Sequence, residues 1–285
     1  MKLIIISGLS GSGKTVALHT LEDEGFYCVD NLPLGLLPNL AKQLTGRQMQ
    51  IYDQVAVGID ARSGAEDLNR FNDIIQATKN NTIDIEVIYF EAKINELIKR
   101  FSDTRRRHPL TQKGIPLAEA IDIERNLLSS IALEADLCLD TTNTNVHQLR
   151  AIIKQRIISR PNQQLAILIQ SFGFKHSVPT DSDFVFDVRC LPNPHWEPQL
   201  RPLTGQDPEV QAFFQDQDDV VDMYSHIRNF LEYWIPKFAE QNRYYLTASI
   251  GCTGGQHRSV YIAELLNSYF RDTFENVSLR HREME

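Results

Sequence analysis

The chain has 285 residues, 42% hydrophobic and 23% charged, the balance of an ordinary globular protein and a length that suits two domains better than one. Its net charge of −8 is uneven, with 19 basic and 20 acidic side chains in residues 1–160 against 10 and 17 beyond, which excludes a broadly basic surface and confines any RNA contact to a local patch. No segment is apolar for long enough to span a bilayer, and Cys28, Cys138, Cys190 and Cys252 lack paired metal-type spacing, so the expectation is a cytoplasmic protein with reduced thiols and no membrane partner.

In chain order, the apolar runs 3–7, 26–29, 55–59, 85–90 and 135–139 read as buried strands. The amphipathic stretches 15–24, 34–44, 65–79, 93–102, 117–133 and 146–158 between them read as helices, the pattern of a parallel sheet covered on both faces. The polar, proline-bearing stretch 159–162 marks a domain boundary, giving an N-terminal domain over 1–160 and a C-terminal one over 161–285. Beyond it, strands are expected over 165–170, 184–188 and 245–250, helices over 220–238 and 259–270, and a proline-rich loop over 191–208. The fold class is therefore α/β: an N-terminal P-loop NTPase or kinase-like parallel sheet, then a second, smaller α/β domain.

The first strand runs into Gly8-Leu9-Ser10-Gly11-Ser12-Gly13-Lys14-Thr15 and then a helix. Glycines allow positive φ, so successive N–H groups can turn inward on phosphate oxygens while the helix N-terminus adds its positive dipole end. Lys14 suits the β- and γ-phosphates and the Thr15 hydroxyl suits Mg²⁺, so the cofactors are ATP or GTP with Mg²⁺. The carboxylate that would assist the metal is Asp60, which ends an apolar run, or Asp30 after Tyr27-Cys28-Val29. Asp140 reads as structural. Arg105, Arg106 and Arg107 follow a helix, as in the lid of small nucleotide and metabolite kinases, which makes Arg105 or Arg106 a catalytic candidate beside Lys14, Thr15 and Asp60; a surface that meets RNA or an acidic partner, and a merely solvated loop, are the other readings.

The segment Ile250-Gly251-Cys252-Thr253-Gly254-Gly255-Gln256-His257-Arg258-Ser259 repeats the design of strand, glycine-bearing loop and helix, and Arg258 can close a ring of donors around an oxyanion. It reads as a binding site for a phosphorylated metabolite or an RNA phosphate. The spacing of Cys252, Arg258 and Ser259 also fits a cysteine-dependent phosphatase, although Gly251 stands where such enzymes carry histidine and only Asp181 and Asp183 offer themselves as general acid. A structural turn is the third reading. Arg189 and His195 lie in or beside a proline-fixed loop and are candidates to complete the site, with Trp196 open to either ligand contact or packing.

The blocks GLSGSGKT, FYCVDNLP, SDTRRRHPL, SFGFKH, DFVFDVRCLPNPHW, LRPLTG and IGCTGGQHRSVYIAE, in that order across nearly the whole chain, resemble the RapZ/YvcJ family of bacterial P-loop proteins. The resemblance implies weak ATPase or GTPase activity in the N-terminal domain and sensing of glucosamine-6-phosphate in the C-terminal one, the phosphosugar set being Arg189, His195, Cys252, Thr253, Gly254, Gly255 and Arg258. Enterobacterial relatives are RNase adapters that present a small regulatory RNA to RNase E and assemble as homo-oligomers, tetramers by expectation. The family's GTP-specific segment falls on Asp60, Ala61, Arg62 and Ser63, where Ser63 replaces the usual Asn. RNA contact rests on Lys175, His176, Arg271, Arg280 and Arg282, with Arg258 a further cation, because the chain ends in RHREME rather than a Lys/Arg run. A metabolite kinase is the alternative activity.

Overall fold

The computed structural model describes residues 1–45, 52–79, 82–158, 165–241 and 243–284. The chain forms two compact units, Met1–Ser159 and Arg160–Glu285. The expected boundary at 159–162 lies outside the described residues.

In the first unit, β1 (Lys2–Gly8) is followed by α1 (Lys14–Asp23), β2 (Tyr27–Val29), α2 (Leu37–Thr45), β3 (Gln54–Gly58), α3 (Ala65–Asn69), α4 (Phe71–Thr78) and β4 (Asp84–Glu91). Then come α5 (Ile94–Thr104), α6 (Leu117–Leu127), α7 (Ser129–Leu133), β5 (Leu137–Asp140) and α8 (Val146–Ile153). All strand pairings are parallel and the order is β2-β3-β1-β4-β5. Leu3, Ile4, Ile5 and Ile6 are essentially inaccessible. An apolar run with no alternation is what a central parallel strand covered on both faces requires. Because β1 sits between β3 and β4, the chain changes direction across the sheet at its carboxyl end, where open α/β sheets bind ligands.

Several boundaries differ from the periodicity-based expectation. The stretch 65–79 breaks into α3 and α4 at Arg70 (φ −100°, ψ 16°), and 117–133 into α6 and α7 at Leu128 (φ −92°, ψ 4°). The break at Arg70 buries Leu68 and Phe71, and that at Leu128 buries Leu128 and Ile131, in one core. Residues 34–36 form a 3-10 turn before α2. Asn145 and Gln148 form a reciprocal capping box at the start of α8, each side chain bonded to the other's backbone N–H.

The second unit contains β6 (Ala166–Gly173), β7 (Phe184–Asp187), α9 (Pro208–Gln215), α10 (Asp218–Glu240), β8 (Tyr245–Cys252), α11 (Arg258–Thr273) and β9 (Val277–His281). Its sheet is again wholly parallel, in the order β7-β8-β6-β9. Every residue of β6 and β8 is buried, and Gly173 lies beside Cys252 in register. Neither β9 nor α9 was read from sequence: β9 is short, its alternation resting on two apolar residues, Val277 and Leu279, and Pro208, read as the end of a loop, opens α9 as its first residue.

Candidate functional site

The phosphate loop bridges β1 and α1. Gly8, Gly11 and Gly13 adopt φ of 135°, 86° and 108°. At Gly8 the strand also runs against its neighbour, since a Cβ would lie 2.0 Å from the Phe90 carbonyl oxygen. Gly13 caps α1 without a side chain, and the first intrahelical bond is Ala17 N–H to Gly13 O, which leaves the N–H groups of Lys14, Thr15 and Val16 without an intrahelical acceptor. Inside the loop, the Ser12 N–H and hydroxyl both donate to Leu9 O, at 3.1 and 2.6 Å. Lys14 Nζ donates to Gly8 O at 2.5 Å, and Thr15 is exposed. Burial pulls the Lys14 ammonium below its ordinary pKa, against the fields of Glu124, Asp60 and Asp30, which favour the charged form.

Asp60 follows β3 next to β1, is 6% exposed and caps the 3-10 turn Ala61–Ser63. Its Oδ1 accepts from Arg62 N–H at 3.0 Å and its Oδ2 from the Arg62 guanidinium at 2.9 and 2.6 Å. Arg62 also bonds Asn31 Oδ1. Asp30, exposed at the end of β2, packs its carboxylate over Gly58, so Lys14, Asp60 and Asp30 share one end of the sheet. No cluster of three or more His, Cys, Asp or Glu among the described residues fits a metal ion. A hydrated Mg²⁺ carried by nucleotide phosphates needs no such cage, and the Thr15 hydroxyl with one nearby carboxylate is a donor set that fits it.

Arg105 ends α5 in a left-handed conformation (φ 52°), and Arg105, Arg106 and Arg107 are exposed with no hydrogen bond or ion pair among the described residues. An arginine that does touch the loop is Arg100, five residues earlier, donating to Gly11 O at 3.1 Å and to Thr141 Oγ1 at 3.0 Å. Asp140 has a structural part as read, its Oδ1 accepting from Thr142 N–H at 2.9 Å. Sequence reasoning also missed Glu124: fully buried on α6, it accepts the Ser10 N–H at 2.8 Å and the Ser10 hydroxyl at 2.7 Å, while His108 Nε2 lies 3.0 Å from Oε2. Burial pushes the Glu124 carboxyl up, but His108, the Lys14 charge and Ser10 together hold it below its usual value.

In the second unit the corresponding loop follows β8. Gly255 has φ 76°, and its N–H donates to Cys252 Sγ at 3.2 Å, with Ser259 Oγ 3.1 Å from the same sulfur. Cys252 is 3% exposed. Arg258, 5% exposed, donates from Nη1 to Arg189 O (2.6 Å) and Leu191 O (3.2 Å) and from Nη2 to Thr253 Oγ1 (3.3 Å), whereas its buried Nε has no partner. Thr253 is exposed and Gly254 half-buried at the mouth, with Lys175 Nζ 3.9 Å from where a Gly254 Cβ would lie.

The Arg189 side chain does not enter this loop: it grips Asp187, holding that carboxyl below its usual range, and its guanidinium carbon sits 4.0 Å over Phe174. His195 is exposed with its ring 6.5 Å from that of His257, and Trp196 is 75% exposed, so it is not a packing residue. Asp183 is taken by Thr247 N–H (2.7 Å) and Arg243 (3.0 Å). Five residues of strand separate Thr247 from Cys252, about 16 Å, so Asp183 cannot protonate a leaving group at that thiol. Lys175, Arg280 and Arg282 cluster around the Glu283 carboxyl, and His176 follows Lys175 on the same loop. Arg271 lies in the last turn of α11, near the start of β9 and away from that group.

Residues 1–160 match the model of the RapZ-like N-terminal domain, and residues 165–285 match that of the RapZ C-terminal domain. The chain belongs to the RapZ family. Within it, relatives named as nucleotide-binding proteins include one from Thioalkalivibrio sulfidiphilus, 55% identical with all of both chains covered. Another, from Methylococcus capsulatus, is 50% identical over 100% of this chain and 96% of its own. Among solved structures, the shikimate kinase of Acinetobacter baumannii, in complex with shikimate, is 18% identical, with 55% of this chain and 93% of that one covered at a TM-score of 0.38. No helix among the described residues of this RapZ-family chain is long and apolar enough to cross a membrane.

Proposed function

We propose that the chain is a regulatory nucleotide-binding protein that holds Mg²⁺-bound ATP or GTP on Gly8–Thr15 and a phosphorylated amino sugar of the glucosamine-6-phosphate type on the loop from Cys252 to Arg258. The observation that carries this reading is the orphaned, buried Nε of Arg258. A guanidinium taken out of water with one donor unmet is costly, and an anionic oxygen at the loop mouth would satisfy it. In the first unit, the open N–H groups at the start of α1 and the Lys14 ammonium do the same for a polyphosphate. Hydrolysis is slow, because both Asp60 oxygens are engaged by Arg62 and so do not readily position a metal-bound water.

The Lys175, Arg280 and Arg282 group is a local basic patch in an acidic chain, which supports contact with a few RNA phosphates. As an RNase adapter the protein would present a small RNA to RNase E, as a homotetramer, with phosphosugar occupancy setting whether RNA is held. Titration calorimetry tests the two ligands: Mg·ATP or Mg·GTP binding lost in Lys14→Ala, and glucosamine-6-phosphate binding lost in Arg258→Gln, are the expected results. Wild-type protein that binds neither overturns the reading. Crosslinking in cells followed by sequencing of bound RNA tests the adapter role, and no enrichment over a control protein removes it. Labelled phosphate found on an acceptor in extract, rather than as free phosphate, would replace regulation by kinase activity.

A further inference from the structure

Residues Arg105–Arg107 stand exposed and have no partner among the described residues, yet both ends of their segment are fastened to the phosphate loop. Before the arginines, Arg100 donates to Gly11 O, and Phe101 and Leu97 come within 3.4 and 3.6 Å of where a Gly11 Cβ would lie. After them comes His108, 1% exposed and packed on Phe101 at a ring distance of 5.3 Å. Its Nδ1 accepts the Leu110 N–H at 3.2 Å, which places the ring proton on Nε2, facing Glu124 Oε2 at 3.0 Å. Glu124 in turn takes both donors of Ser10.

We propose that Arg105–Arg107 form a flap that closes on nucleotide phosphates, hinged at Gly11 through Arg100 and at Ser10 through Glu124 and His108, the last two acting as positioning residues. The proposal rests on the nucleotide reading above. Three arguments carry it. A fully buried carboxylate survives only with its lone pairs satisfied, and here it is satisfied by the phosphate loop on one side and His108 on the other, so the base of the arginine segment is anchored to the loop while the arginines themselves stay free to move. The tether is short: the three residues from Arg105 to His108 span at most about 10 Å. Guanidinium groups bind phosphate bidentately, and these three consecutive ones are exposed and have no hydrogen bond or ion pair among the described residues.

The test is a double-mutant cycle on the full chain, with Mg·ATP and Mg·GTP affinity read by calorimetry. Combined Arg105→Ala, Arg106→Ala and Arg107→Ala is expected to weaken binding about tenfold in the wild-type background and less than twofold in His108→Phe, which severs the link at little change in volume. Glu124→Met, which accepts from neither His108 nor Ser10, should collapse the arginine effect in the same way and serves if His108→Phe unfolds. Additive losses, an arginine triple that binds like wild type, or loss of the cooperative melt in both hinge variants would overturn the hinge while nucleotide binding still depended on Lys14. Absence of binding by wild type would overturn the nucleotide reading as well.

Discussion

Lys14 Nζ donates to the carbonyl oxygen of Gly8, the residue that opens the same loop, at 2.5 Å. The ammonium thus satisfies itself on the loop when no phosphate is near, and the bond spans the space between loop start and helix start where a phosphate oxygen would compete for it. Exchange of a neutral acceptor for an anionic one is favourable, since it adds the Coulomb attraction of opposite charges to a bond whose donor is already charged.

Lys14→Met should therefore weaken Mg·ATP or Mg·GTP binding by roughly 10- to 100-fold, the loss expected for a charge-assisted bond. Melting temperature should change little, because the bond given up in the free protein is a single one to a loop carbonyl. Calorimetric titration and a thermal melt on the same preparation check both parts.

Three glycines with positive φ separate backbone strain from steric conflict. At Gly8 a Cβ meets the Phe90 backbone at 2.0 Å, at Gly13 it meets only the end of the Leu149 side chain at 2.5 Å, and at Gly64 (φ 86°) nothing lies within 4 Å. Alanine at Gly64 should cost roughly 1–3 kcal/mol of stability from the backbone alone, whose φ 86° and ψ 143° lie close to a region almost confined to glycine. At Gly13, Leu149 must also shift, adding roughly 1–3 kcal/mol. Gly8→Ala forces two strands apart and should be the worst of the three. Urea denaturation of the three variants gives the order, and Gly64→Ala falling below Gly13→Ala would contradict it.

These loops were legible from sequence because their parts are contiguous: glycines, lysine and hydroxyl within eight residues can only be read together. The same holds for Cys252 to Arg258. What was not legible depends on residues far apart in the chain, such as Ser10 and Glu124, which are 114 positions apart. Glu124 reads as one more charge on an amphipathic helix until the fold turns it inward. Arg100 was not singled out from sequence because its part depends on helix phase: it lies five residues before the exposed helix cap Arg105, well round the helix, on the face against Gly11. Arg189 was placed at the second site by proximity, but it is its carbonyl oxygen, not its guanidinium, that meets Arg258.

Asp136 offers a prediction with a defined pH window. Burial raises its carboxyl from the usual 3.8 to about 6, only partly offset by the Val87 N–H that it accepts at 2.8 Å. The folded state therefore holds this proton more tightly than the unfolded one, so the contribution of Asp136 to stability is greatest below about pH 4, falls as pH rises from 3.8 to about 6, and is level above. A shift of this size corresponds to roughly 3 kcal/mol. Asp136→Asn keeps an acceptor for Val87 and removes the titration. The difference between wild type and variant, followed by chemical denaturation from pH 4 to 8, should grow in the variant's favour across that window and then flatten; a constant difference would assign Asp136 no such part.

Arg258 binds its own scaffold and, in the proposed function, a ligand, and the two parts separate by substitution. Its Nη1 holds the carbonyl oxygens of Arg189 and Leu191, which fixes the segment after β7 against the start of α11, and its Nε is the unmet donor. Arg258→Lys keeps the charge but loses the planar fork, so a single ammonium has to choose between the scaffold carbonyls and an anion. If it chooses the carbonyls, the fold survives and glucosamine-6-phosphate affinity falls by roughly tenfold or more, the worth of one charge-assisted bond. Arg258→Gln gives up the charge as well and should cost stability, about 1–3 kcal/mol for each carbonyl left unpaired. Ligand affinity and melting temperature measured together decide it: loss of stability in both variants with ligand affinity unchanged in Arg258→Lys would make Arg258 a structural residue alone, and the anion would have to be held by backbone N–H groups without it.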